Sequence, residues 1–152
     1  MTYSTYTDWA LPDPQYKPEF YTDTALKRLI AWGIDTIIIL VMCLLLLPFT
    51  AFTAVFFFPA FFLTVGFVYR TATITRSSAT LGMRFMAIEF RTHRGATFDL
   101  NLAAIHSLAY TISTFTVLPQ LISLVLMATT ARGQGLTDLL LGTVAMNKRA
   151  GH

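Results

Sequence analysis

The chain has 152 residues, 55% of them hydrophobic and 12% charged, with a formal net charge of +3 and a single cysteine, Cys43. Soluble domains carry about 25% charged residues, so this composition excludes an ordinary soluble domain, and one cysteine excludes a disulfide framework or a thiolate metal cluster. The small positive charge calls for no nucleic acid; it reads as topology signals and contacts to anionic headgroups.

The first 25 residues, "MTYSTYTDWALPDPQYKPEFYTDTA", are polar and contain three prolines. They lack the basic start, short apolar core and small-residue cleavage site of a signal peptide. The segment reads as an extended cytoplasmic tail, and the first membrane helix as an uncleaved anchor. From Leu29 to Tyr69 run 41 positions of which Asp35 alone is charged. As helix this would be roughly 60 Å long, about twice the hydrocarbon thickness of a bilayer. The run must therefore fold back, and Pro48 marks the place. The expectation is a helix over about 26–47, a turn at "PFTAFT" and a second helix over about 53–70. Pro59 either kinks that second helix or belongs to a longer turn. Cys43 reads as a small buried hydrophobe, and most of the 13 phenylalanines as lipid-facing bulk.

Residues 70–99 change character, with Arg70, Arg76, Arg84, Arg91 and Arg94 against Glu89 and Asp99. A short arginine-rich connection belongs on the cytoplasmic side, and Lys27 and Arg28 at the start of the first helix place the N-terminus there too. Within it, "TITRSSATLGMRF" reads as an interfacial helix capped near Ser78, and "MAIEFRTHRGATFDL" as a β-hairpin turning at Arg94-Gly95.

A second apolar stretch, Leu100 to Ala131, is divided by Pro119. One straight helix would be roughly 48 Å, too long without strong tilt. The alternatives are one long helix or two short ones over about 100–118 and 120–131. The strand-like "GTVAMN" favours the two, because pairing with "MAIEF" needs both segments on one side. The expected fold is thus an all-α membrane protein: an N-terminal transmembrane hairpin plus a Pro-kinked C-terminal membrane segment, with a small β element on the cytoplasmic side. The domain would span 26–147, followed by a basic tail at 148–152. Its expected location is the cell (inner) membrane, multi-pass, with the N-terminus cytoplasmic.

Asp35 is the residue that most needs explaining. It follows Arg28 by seven residues, so the two share a helix face but lie roughly 10 Å apart along the axis. Direct pairing is poor at that distance, and a carboxylate inside a membrane costs free energy unless it finds a partner, water or a proton. A third group is required.

Three motifs in order, "KRLIAWGID", "SSATLGMRFMAIEFRTHRGATF" and "ARGQGLTDLLLGTVAMN", give the chain its resemblance to the RDD family of small membrane proteins. The resemblance covers about residues 26–147. Arg28, Asp35 and Asp138 match the arginine and two aspartates for which that family is named. Thr80, Leu81, Gly82 and Arg84 match its Gly-Lys-Arg segment, and Gly142 and Thr143 fall in its closing motif. The chain departs from the pattern at Met83, where lysine is usual, at His106, where arginine often opens the later helix, and at Thr137, where histidine is frequent. The resemblance implies that the C-terminal segment folds back so that Asp138 reaches Arg28, gathering both carboxylates and the guanidinium into one buried cluster.

Such a cluster has three readings: a staple between the C-terminal segment and the first helix, a site where Asp35 binds a cation or shuttles a proton, or a partner-binding site. His106 is a candidate intramembrane polar residue, read foremost as hydrogen-bonded packing. Gly82, Gly135 and Gly142 read as turn and helix-end residues, since neither GxxxxGK[ST] nor GxGxxG occurs. With no catalytic triad, spaced metal ligands or cofactor motif, the expectation is a protein that is not an enzyme and needs no cofactor. Expected partners are the bilayer and its anionic headgroups, and a second copy of the chain or a larger membrane complex. The two function classes are a small ion- or proton-coupled transporter and an accessory or assembly subunit of such a complex.

Overall fold

A computed structural model describes Leu11 and residues 14–147. Helix α1 spans Thr24–Leu46; its 23 residues make roughly 35 Å, enough to cross a bilayer. Pro48 lies in the first turn of a 3₁₀ segment, Leu47–Thr50, followed by Ala51 and Phe52 in the left-handed region and a second 3₁₀ segment, Thr53–Phe57. Helix α2, Phe58–Ser77, then returns. Pro59 does not kink this helix. It occupies the first turn, where its missing N–H leaves no carbonyl unserved and its fixed φ suits the helix. Ile39 and Cys43 on α1 pack against Val65 and Tyr69 on α2 in a buried cluster.

Helix α2 runs well past the expected end at residue 70, because no helix breaker follows until Ser78. Arg76 is therefore helical rather than in a loop, Arg70 lies well inside the helix rather than at its end, and no separate interfacial helix covers "TITRS". Ser78 (φ 56°) stops the helix in the left-handed region, with its N–H donating to the Ile74 carbonyl. Its hydroxyl donates to the Phe90 carbonyl (2.6 Å) and accepts from the Phe98 amide (3.1 Å). Thr80 then caps a new short helix α3, Leu81–Phe85, by accepting from the Met83 amide.

The local β-hairpin expected after α3 does not form. Strand β1, Ile88–Thr92, pairs antiparallel with β2, Thr143–Asn147, in a register from Ile88↔Asn147 to Thr92↔Thr143. The turn near Gly95 is present, closed by Thr92 N–H to Ala96 O, but its far limb leads directly into α4. "GTVAMN" pairs along the opposite edge of β1; on the edge where the turn folds back, the Phe90 N–H already donates to the Ser78 carbonyl (2.7 Å), and the chain after Ala96 adds no strand.

Between the strands lie helix α4, Leu100–Phe115, helix α5, Val117–Thr129, and the short α6, Leu136–Leu141. Helices α4 and α5 meet at 115°. The break is at Thr116, three residues before Pro119, which lies in the first turn of α5. The donor that Pro119 lacks is not missed in a first turn, where N–H groups have no intrahelical acceptor. The Pro18–Thr50 and Thr53–Ser77 stretches are long and apolar enough to cross a membrane, and the bent α4–α5 pair makes a third if it is one span.

The N-terminal tail is not extended where it is described. Pro18–Phe20 is a 3₁₀ turn, and buried Tyr21 packs on Val144 and Met146. The Asn147 amide donates to the Glu19 and Thr22 carbonyls, and Lys27 donates to its oxygen. Residues 1–10 of the expected tail, and the basic tail at 148–152, lie outside the described residues. Ala31, Ile74, Met83, Ile88, Phe90 and Phe98 form the core that joins α1, the end of α2, α3 and β1.

Candidate functional site: two buried aspartates on one cavity

Asp35 finds its partners on α2 and α3, not on α1. Its Oδ1 accepts from the Tyr69 hydroxyl (2.7 Å) and the Gly82 amide (2.9 Å), and its Oδ2 from the Thr80 hydroxyl (2.6 Å). The carboxylate is thus stabilised by oriented neutral donors rather than by a counter-charge. Gly82 makes this possible: a Cβ there would collide with the Ala31 carbonyl oxygen and lie 2.9 Å from Asp35 Oδ1. Helix α3 rests its backbone directly on α1, and only glycine fits.

Asp138 is held differently. It is the third residue of α6, and its Oδ2 accepts from the Gly135 amide at the helix start (3.3 Å), the carboxylate half of a capping box. The same oxygen is ion-paired with Arg28, while Oδ1 accepts from Thr143 Oγ1 (2.9 Å) and lies 3.0 Å from His106 Nε2. Burial alone would raise the Asp138 carboxyl, but the Arg28 charge and the His106 contact outweigh it and hold the group well below the usual carboxylate range. An ionised carboxylate only accepts, so His106 Nε2 must be the donor, which leaves Nδ1 as the acceptor of the neutral ring. Nδ1 is buried and has no partner among the described residues. Phe90 and Phe98 enclose the imidazole, with ring centroids 4.6 and 5.5 Å away.

Arg28, Asp35, Arg70, His106 and Asp138 all line one cavity of about 240 Å³. The family model of the RDD family matches residues 22–142, which takes in α1, α3, the bent pair and α6. The chain belongs to the RDD family. Comparison with curated proteins and with solved structures found no match.

The RDD arginine and both RDD aspartates therefore share a cavity, but they do not form the single contact cluster that was expected. Arg28 pairs with Asp138 alone, and Asp35 belongs to a separate hydrogen-bonded group. Two helical turns of separation on α1 are too many for one guanidinium to serve both. Of the loop-motif residues, Thr80 and Gly82 bind Asp35 and the Leu81 amide donates to the Tyr69 hydroxyl (3.3 Å), whereas Arg84 is exposed. Gly142 ends α6 with φ 66°, and Thr143 binds Asp138.

Sequence reasoning missed Tyr69 and Arg70. In the sequence Tyr69 marks only the end of the apolar run, and Arg70 is the first of five arginines in residues 70–99. What the sequence lacked was the partners: Tyr69 and Arg70 are buried because α1 brings Asp35 to the one and α4 brings Tyr110 to the other. Arg70 is 8% exposed, and its guanidinium lies 3.8 Å from the Tyr110 ring centroid.

Proposed function

We propose that this RDD protein is a multi-pass protein of the cell (inner) membrane that moves an ion in a proton-coupled manner, with the cavity as its binding site. The observation that carries this reading is His106: its Nε2 is committed to Asp138, and its buried Nδ1 is unpartnered among the described residues. A proton arriving at Nδ1 would create an imidazolium beside the Asp138 carboxylate, with Arg28 on the far side of that carboxylate. Its charge would then depend on what else occupies the cavity, which is the coupling that a proton-linked carrier requires. Asp35, whose oxygens are occupied by protein donors, serves in this reading to fix α3 against α1.

The bent α4–α5 pair is taken as a re-entrant hairpin, so that both strands and the N-terminal segment share the cytoplasmic face. The antiparallel β1–β2 pairing and the exposed Arg76, Arg84 and Arg94 at that end favour this orientation. Because the described helices make little wall, the carrier is proposed to be a homo-oligomer. The decisive experiment is flux into reconstituted vesicles under an imposed pH gradient, comparing the wild type with His106→Gln. Glutamine keeps an N–H for Asp138 but takes up no proton. Loss of gradient-driven flux with unchanged folding supports the proposal; unchanged flux ends it.

A second reading, an accessory or assembly subunit, is favoured by one feature. Phe49, Phe52, Phe56 and Phe57, at the turn joining α1 and α2, are 59–86% exposed, which suits packing on a larger membrane protein. A stoichiometric larger partner recovered in mild detergent would support this reading over transport.

A further inference from the structure

Arg70 is a buried cation with no ion-pair partner among the described residues. Its Nε is inaccessible and unbonded, and among the described residues the side chain makes no hydrogen bond or ion pair. The Asp138 charge is taken by Arg28, with His106 and Thr143 on its other oxygen, while Asp35, on the wall of the same cavity, spends its acceptors on the neutral donors of Tyr69, Thr80 and Gly82 and makes no ion pair with Arg70. Stacking on Tyr110 offsets part of the cost of burying a guanidinium but leaves its N–H donors without an acceptor, which an oxyanion in bidentate contact would supply. Exposed Arg76, Arg84 and Arg94 need no such partner.

The surroundings say what kind of anion fits. Arg70 lines both the 240 Å³ cavity and an adjoining one of about 80 Å³, and Trp32, Asp35 and Tyr110 are common to the two. Beyond this polar end the larger cavity is walled by Leu29, Trp32, Leu124 and Met127. Leu29, Trp32 and Leu124 are at the same time 45–55% exposed on the apolar outer surface. The cavity therefore runs from a guanidinium inside to a face suited to hydrocarbon outside. We propose that it binds an anionic amphiphile, with a phosphate-type oxyanion on Arg70 and an alkyl chain leaving between α1 and α5. The site stands on Arg70 and its apolar exit, and does not require His106 to carry a proton.

Trp32, on the wall of both cavities, is a built-in reporter once Trp9 is replaced by phenylalanine. The experiment titrates dodecyl phosphate into the full chain carrying Trp9→Phe, in nanodiscs of neutral phosphatidylcholine, and follows tryptophan emission. The expected result is a saturable change that weakens at least tenfold in Arg70→Gln, recovers in part in Arg70→Lys, and is unaffected by Arg76→Gln. Dodecyltrimethylammonium, with the same chain and the opposite charge, should give no saturable change; this arm uses only the wild-type site and holds even if Arg70→Gln does not fold. Competition by phosphatidylglycerol in the nanodisc would identify the amphiphile as membrane phospholipid, and absence of competition a single-chain lipid, both consistent with the site. Equal titration of wild type and folded Arg70→Gln, equal response to the cationic amphiphile, or inorganic phosphate binding as tightly as dodecyl phosphate would each overturn the proposal.

Discussion

Arg28 and Asp138 lie 110 positions apart in the chain and form an ion pair in which the aspartate side chain is completely buried. The pair fastens the start of the first membrane helix to the chain that returns after the last. Removing one partner strands the other. Asp138→Ala should destabilise the protein by about 3–5 kcal/mol, the range for breaking a buried pair, and Asp138→Asn by less, since its one remaining oxygen still accepts on one side, from Arg28 and Gly135 or from Thr143 and His106. Denaturant unfolding in a fixed detergent measures both; a loss under about 1 kcal/mol for the alanine variant would contradict a structural role for the pair.

The pH dependence follows from the same pair. Asp138 is held below its ordinary value in the folded state, so its contribution to stability is complete above the unfolded aspartate pKa of about 4 and is lost as pH falls below that value. Unfolding midpoints measured between neutral pH and pH 3 should fall for the wild type and fall less steeply for Asp138→Asn. Parallel curves would show that another group governs acid sensitivity.

Asp35 should behave as a local fastener. Asp35→Asn retains one oxygen for Tyr69 and Gly82 but presents an N–H₂ to the Thr80 hydroxyl, which must rotate to accept; the expected cost is about 1–2 kcal/mol. Asp35→Leu leaves buried donors on Tyr69, Thr80 and Gly82 unanswered and should cost more. If Asp35→Asn abolishes ion flux in vesicles without lowering the unfolding midpoint, Asp35 takes part in transport directly rather than holding α3 in place.

Two glycines in this region should respond in opposite directions. Gly82→Ala puts a methyl group against the Ala31 carbonyl and should destabilise by about 1–3 kcal/mol through overpacking. Gly33→Ala, on the same first helix with nothing within 4 Å of the added carbon, should stabilise by about 0.5–1 kcal/mol through its helix preference. Thermal unfolding of the two variants side by side tests the close approach of α3 to α1.

The proposed orientation is open to labelling. In a Cys43→Ser background, single cysteines at exposed Lys17, Arg94 and Ala131 should react with a membrane-impermeant maleimide only after cells are opened. Labelling of position 131 in intact cells, with 17 and 94 protected, would overturn the re-entrant reading of α4–α5.

The sequence determined what could be read from runs and end signals. An unbroken apolar stretch too long for one crossing, with Pro48 inside it, requires a hairpin. An ordered set of motifs brought Arg28, Asp35 and Asp138 forward before any fold was known. Local pattern also marked both strands. What it did not decide was pairing. Whether "GTVAMN" comes back to "MAIEF" depends on a bend of 115° between α4 and α5, and no local rule sets that angle. The same holds for the charges. Spacing showed that Arg28 could not reach Asp35, but the donors that do reach it lie on α2, on α3 and at its cap, and come together only when α3 settles onto α1 over Gly82. Arg70 was hidden for a related reason: its burial follows from the placing of Tyr110 on α4 opposite α2, a product of packing between distant segments.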